Sequence, residues 1–190
     1  MALDKFPDYS VDYLVKESTK QPSLRPLPVR YRGYWFRSRL EGRWAVFLDE
    51  MGIEFQYEPL GFQLPNGVCY LPDFYLPKVR CYAEVKPQEL TPEQRESCQL
   101  LVYETNASFL FLIGPPDFRA YEAFWMDSGQ ITEDWVSLDI HTYRKAYFTE
   151  SRLWSVSEIW LDEEDHSLEY IMAVHESRGC RFENMHSARR

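Results

Sequence analysis

Two carboxylates and an amine stand at spacings that suit metal-assisted hydrolysis. Pro72-Asp73 lies in one strand-like segment, and Glu84-Val85-Lys86 ends the next. Residues two apart on a strand face the same side, so Glu84 and Lys86 share a face while Val85 points into the opposite layer. If the two strands are neighbours, Asp73 approaches that face. Carboxylates so placed repel one another, and a hard divalent cation resolves the repulsion. Mg²⁺ (or Mn²⁺) takes oxygen ligands from one or two carboxylates and keeps several waters. A lysine beside the ion orients a water and stabilises the hydroxide formed from it. The plainer alternative for Glu84 and Lys86 is an ion pair on an exposed edge, worth only about tenths of a kcal/mol. Asp73 sits in Leu71-Pro72-Asp73-Phe74-Tyr75, too apolar a context for a solvated turn.

The elements that must position these residues are legible from periodicity. Residues 29–31 and 34–36 flank Arg32-Gly33 as a small hairpin. Ser38 is a good N-cap, Glu41 lies three residues on, and Leu40, Trp44, Phe47, Leu48 and Met51 recur at helical spacing until Gly52. Strand-like segments run over 53–58, continuing through 61–64, over 68–76 after the Asn66-Gly67 turn, and over 80–86. Thr91, Pro92 and Gln94 open a second helix to about Thr105 as N-cap, N1 and N3. Residues 108–113 form a buried strand that stops at Gly114-Pro115-Pro116. The order over 38–113 is αβββαβ, an α/β sandwich. Beyond it the pattern weakens, although a helix is expected over residues 167–178. The division expected is an N-terminal arm over 1–28, a core over 29–116, and an acidic, aromatic-rich C-terminal extension over 117–190 that is mostly helical or irregular.

At 190 residues the chain has room for one domain with a core, and its 45% apolar content is that of a folded protein. The charged N-terminus has no apolar segment of a secretory signal, and no run is long enough to span a bilayer, so a cytoplasmic protein without a membrane partner is expected. Four cysteines with no C-x-x-C spacing exclude a zinc ribbon and read as reduced thiols. The net charge of −9 is unevenly spread: residues 1–47 carry nine Lys and Arg against five Asp and Glu, leaving a strongly acidic remainder. Arg30, Arg32, Arg37, Arg39 and Arg43 fall within fourteen residues. They suit phosphate contacts to DNA, or else form a solvated face, since Arg39 and Arg43 lie opposite the apolar stripe of their helix. Six acids and no Lys or Arg over 158–169 read as solvated surface.

With Pro72-Asp73 preceding Glu84-Val85-Lys86, and with an αβββαβ order around them, the sequence resembles the PD-(D/E)XK nuclease superfamily. Two outlying features fit its pattern. Glu41, in Arg37-Ser38-Arg39-Leu40-Glu41, stands where many members carry a helix glutamate, although it is equally a capping-box residue for Ser38. Gln99-Leu100-Leu101-Val102-Tyr103 matches the Q-h-x-x-Y motif of the RecB-like branch, although Gln99 and Tyr103 read equally well as a plain surface pair. The segment 36–86 is also similar to TnsA-like and small phage endonucleases. The cysteine set of the iron–sulfur members is absent.

The resemblance implies a restriction-endonuclease-like fold with a mixed sheet flanked by helices, and a Mg²⁺- or Mn²⁺-dependent deoxyribonuclease, endonuclease rather than exonuclease. Asp73, Glu84 and the Val85 carbonyl would hold the metal, Lys86 would position the water, and Glu41 would hold a second metal or its waters. Gln99 and Tyr103 would shape the site. A rival reading is a nuclease-fold subunit that works through protein partners, motivated by Phe124, Trp125, Trp135, Trp154 and Trp160 in the acidic half. A third is a degenerate fold that only binds DNA, which the intact Asp73, Glu84 and Lys86 disfavour.

Overall fold

A computed structural model describes residues 27–139 and 166–184. Nearly all of the N-terminal arm, most of the acidic stretch over 158–169, Trp154 and Trp160 lie outside them. The chain enters through a hairpin, β1 (Val29–Tyr31) and β2 (Tyr34–Phe36). Arg32 and Gly33 both take positive φ at its turn, as a two-residue loop with right-handed strand twist requires. Helix α1 (Arg39–Glu50) starts at Ser38, whose hydroxyl accepts from the Glu41 amide at 3.1 Å. It buries Trp44, Ala45, Phe47 and Leu48.

The expected strand over 53–58 is confined to β3 (Gln56–Tyr57). The Asn66-Gly67 turn closes a hairpin, β4 (Phe62–Gln63) and β5 (Cys69–Tyr70), which forms its own two-stranded sheet. The expected strand over 68–76 is therefore split, and β6 is Phe74–Leu76. Pro72 explains the break, because it has no N–H to give a ladder. A 3₁₀ turn at Pro77–Val79 leads into β7 (Cys81–Lys86). Helix α2 (Pro92–Thr105) carries the full capping box between Thr91 and Gln94, and β8 (Ser108–Ile113) comes next. β3, β6 and β7 pair antiparallel, and β8 lies parallel to β7, so α2 is the crossover that a parallel pair needs.

The chain beyond residue 116 departs from the mostly helical or irregular extension expected of it. Residues 121–136 are a hairpin, β9 (Tyr121–Asp127) and β10 (Gln130–Val136), that widens the same sheet to six strands in the order β10-β9-β8-β7-β6-β3. Tyr121 and Ala123 pack with the α1 side while Phe124 packs with the α2 side. A strand apolar on both faces loses the alternation by which strands are read. Helix α3 (Leu168–Gly179) packs along α1 and buries Tyr170, Ala173 and Val174. β11 (Glu183–Asn184) then pairs with β1. Residues 121–136 and 168–179 thus share the core of the α/β sheet.

Two helices, α1 and α3, cover one face of the sheet, and α2 with the β4–β5 hairpin covers the other. Gly42 lets the N-terminal hairpin approach α1: a Cβ there would lie 2.6 Å from Val29 Cγ2, and Val29 is fully buried. Gly42→Val is accordingly expected to cost about 2 kcal/mol through overpacking, offset only slightly by helix propensity. Urea denaturation measures this, and an unchanged midpoint would mean that Val29 moves aside freely. No helix among the described residues is long and apolar enough to cross a membrane.

Candidate metal centre at the fork between β6 and β7

β6 and β7 separate just beyond the Phe74–Ala83 pair, and the next position on each strand is a carboxylate. Continuing that register sets Asp73 opposite Glu84. Asp73 continues the ladder with its backbone only on the β3 side, where its carbonyl accepts the Glu58 amide at 2.9 Å. Its carboxylate Oδ2 accepts the Val85 N–H at 2.8 Å, filling the place a strand carbonyl would take. The Lys86 carbonyl accepts from the Gly114 amide on the β8 side at 2.8 Å. Carbonyls alternate along a strand, so that of Val85 points to the β6 side, where Asp73 lies. Two carboxylates and one carbonyl therefore gather at the fork.

The shared face expected for Glu84 and Lys86 is seen directly: Lys86 Nζ lies 2.5 Å from Glu84 Oε1. The other oxygen, Glu84 Oε2, is buried without a hydrogen-bond partner among the described residues. Asp73 and Glu84 are only 3% and 5% exposed. Burial, and after it the charge of Glu84, pushes the Asp73 carboxyl up to about 7; Glu41 adds to this, while the Val85 N–H and Lys86 offset part of it. Burial works against the Lys86 ammonium, but Glu84 and Asp73 outweigh it and its pKa is raised. Lys86 is therefore a proton-bearing donor here, not a base.

The raised Asp73 carboxyl ties stability to pH. A carboxyl that holds its proton more tightly when folded adds stability below its ordinary pKa, and that contribution is lost as pH rises through the folded value. In EDTA the melting temperature is expected to fall between pH 5 and 8, and Asp73→Ala should flatten that slope. Parallel slopes in the two proteins would show that Asp73 ionises normally.

Glu41 is placed nearby but is fully engaged. Its Oε1 accepts from Ser38 Oγ at 2.7 Å, and its Oε2 accepts from Tyr57 OH at 2.5 Å and from the Arg37 amide at 3.0 Å. Capping and site roles meet in this arrangement, because Glu41 holds the helix start while its charge still reaches Asp73. Arg37 joins the two parts: Nη2 lies 2.9 Å from Asp73 Oδ1 and Nε 2.6 Å from Glu58 Oε1, with the side chain 57% exposed. Sequence reasoning assigns Arg37 to phosphate contact and overlooks this pairing. The pairing of Tyr57 with Phe74, which sets Glu58 beside Asp73, is the register signal that points to it.

Of the motif pair on α2, Gln99 is half-buried. Tyr103 is 65% exposed, whereas the α2 residues turned inward are Cys98, Leu101 and Val102. Cys98 meets Tyr70 of β5 at 3.3 Å (Sγ to OH), and burial, Cys98 and Glu84 all raise the Tyr70 phenol. Tyr70 and Cys98 escape sequence reasoning because no catalytic pattern includes them and the hairpin bearing Tyr70 is placed only by tertiary packing. Among the arginines, Arg32 is held by Asp49 at 2.6 Å, Arg30 lies over the Trp35 ring, and Arg39 is exposed. Arg43 is half-buried rather than on a solvated face.

The donor set fits a hard cation. A buried carboxylate oxygen without a partner, a second carboxylate crowded against it and a carbonyl on the same edge are oxygen ligands of the kind Mg²⁺ takes. Among the described residues no three His, Cys, Asp or Glu side chains converge to hold an ion, so water would complete such a shell. No protein-family model and no curated protein matches the chain.

Proposed function

We propose that the chain is a metal-dependent DNA endonuclease with a restriction-endonuclease-like core, of the kind that processes phage or mobile-element DNA. The observation that carries this is the fork itself: Asp73, Glu84 with its unpartnered Oε2, the Val85 carbonyl edge, and Lys86 2.5 Å from Glu84. The order of α1, the antiparallel strands β3, β6 and β7, then α2 and parallel β8 supports it, with β4–β5 as an insertion.

A Mg²⁺ or Mn²⁺ ion held by Asp73, Glu84 and the Val85 carbonyl would supply charge neutralisation at the phosphate and a lowered water pKa. Asp73 is held for that task by the Val85 N–H, and Glu84 by Lys86. The Lys86 ammonium would donate a hydrogen bond to a water on the Glu84 face and stabilise the hydroxide left when that water gives its proton to bulk solvent. Arg37, more than half exposed beside Asp73, meets a phosphate oxygen at the mouth. Glu41 positions Arg37 through its backbone amide and Tyr57 through its hydroxyl. The partner-subunit reading loses one of its motives, since Phe124 is core.

The test is cleavage of single-stranded, duplex and branched DNA with Mg²⁺, Mn²⁺ or EDTA. Metal-dependent phosphodiester hydrolysis is expected, and its absence on every substrate would exclude the proposal. Lys86→Ala is expected to lower the rate by at least about 10²-fold. Its Mg²⁺ affinity should hold or rise, because the ammonium competes with the cation for Glu84. Calorimetric titration separates the two quantities, and affinity reduced as severely as in Asp73→Ala would make Lys86 a structural residue.

A further inference from the structure

We infer that the exposed face of the β1–β2 hairpin, with Arg181 beside it, is a docking platform for single-stranded DNA. The inference rests on the nuclease reading for the identity of the polymer, and on its own observations for the platform. Arg30 and Trp35 are directly opposite one another in the β1–β2 register, so their side chains share a face. Trp35 is 48% exposed, and the Arg30 guanidinium lies 6.0 Å from its ring centroid. Tyr34, one residue earlier on β2, faces the other side, with its ring 6.1 Å from those of Phe36 and Phe55. Few large aromatic rings among the described residues are as open as that of Trp35.

Arg30 also lines a hollow of about 400 Å³, together with Tyr31, Arg32, Cys180, Arg181 and Phe182. Arg43 lies behind it, close enough for its charge to act on Cys180. The acids of this corner are Asp49, which holds Arg32, Glu50, whose charge acts on Tyr31, Glu176, which acts on Cys180, and Glu183, directly opposite Arg30 in the β11–β1 register. An arginine-lined hollow flanked by one open indole matches how single strands are held: arginines track the backbone and a base stacks on the ring. A duplex would use only the arginines, because its bases are already stacked. The platform also leads to the carboxylates, since Arg37, next in sequence after Phe36 of β2, reaches Asp73 at 2.9 Å. Arg181 is far from Arg30 in sequence and enters this surface only through the pairing of β11 with β1.

The test uses the full chain in EDTA, where no cleavage occurs, with a fluorescein-labelled oligothymidine of about 15 nucleotides and a duplex of the same length, read by anisotropy over a range of salt. Trp35→Ala is expected to weaken oligothymidine binding by about 5- to 100-fold while leaving its salt slope and the duplex affinity unchanged. Trp35→Phe should restore most of that affinity, which a merely structural role of the indole would not predict. Arg30→Ala with Arg181→Ala should instead flatten the single-strand salt slope by roughly 0.7 for each phosphate no longer neutralised. Oligothymidine affinity unchanged in Trp35→Ala, or reduced equally on the duplex, overturns the platform. Cleavage with Mg²⁺ is read separately. Tryptophan-dependent binding without cleavage sinks the nuclease reading alone, and cleavage without a Trp35 effect on binding sinks the platform alone.

Discussion

Asp73→Ala and Glu84→Ala should each abolish Mg²⁺-dependent cleavage, by at least about 10³-fold, which corresponds to roughly 4 kcal/mol of lost transition-state stabilisation. Each removes one of two charged groups from a shell that has no third carboxylate among the described residues to replace it. The two differ in what they do to the metal-free fold. Glu84→Ala removes an unpartnered buried oxygen and leaves Lys86, partly exposed, free to reach water. Its metal-free melting temperature should equal or exceed that of the parent. Asp73→Ala also relieves repulsion, but it orphans the buried Val85 N–H, at a cost of about 1–3 kcal/mol. It should therefore melt below Glu84→Ala. Cleavage within about tenfold of the parent in either variant, with DNA, Mg²⁺ and pH held constant, would remove that residue from the centre.

The largest effect on stability is expected at Trp44. The indole is fully buried, meets Phe47 and Tyr121 edge-on at 5.3 and 5.1 Å, and donates from Nε1 to the Gly114 carbonyl at 2.8 Å. Trp44→Ala should cost about 3–5 kcal/mol through reduced burial and the cavity left behind. Gly114 is also the residue whose amide holds the Lys86 carbonyl, so loosening it frees the end of β7 on which Glu84 and Lys86 are mounted. Trp44→Phe keeps much of the volume but not the hydrogen bond, and its stability should fall between those of the parent and the alanine variant. Chemical denaturation measures both, and a cost under about 1 kcal/mol for the alanine variant would show that α1 is not anchored to the sheet through this residue.

Short-range chemistry carries a large part of the architecture. Ser38 and Thr91 mark their helices because a side-chain hydroxyl satisfies a free backbone amide at a helix start. Asn66-Gly67 turns its hairpin, and the shared face of Glu84 and Lys86 comes from the two-residue period of a strand. The hairpin β9–β10 escapes such reasoning, because β9 is buried on both faces and loses that period. Tyr103 meets a motif by spacing, but the rotation of α2 on the sheet turns Cys98 and Val102 inward and leaves Tyr103 largely in solvent.

What the sequence determined alone is most of the elements of the core and the local geometry within each: caps, turns, the faces of α1 and β7, and the three residues Asp73, Glu84 and Lys86. These depend on bonds and sterics spanning only a few residues. What the tertiary structure decided is what those charges meet. Asp73 replaces a strand carbonyl at Val85, Arg37 reaches from the helix start to Asp73, Glu41 is claimed by Tyr57, and Arg181 joins Arg30 beside the hairpin. Those partners are far apart in sequence and share no local pattern. Only sheet register and helix packing, driven by burial of two apolar faces at once, bring them together.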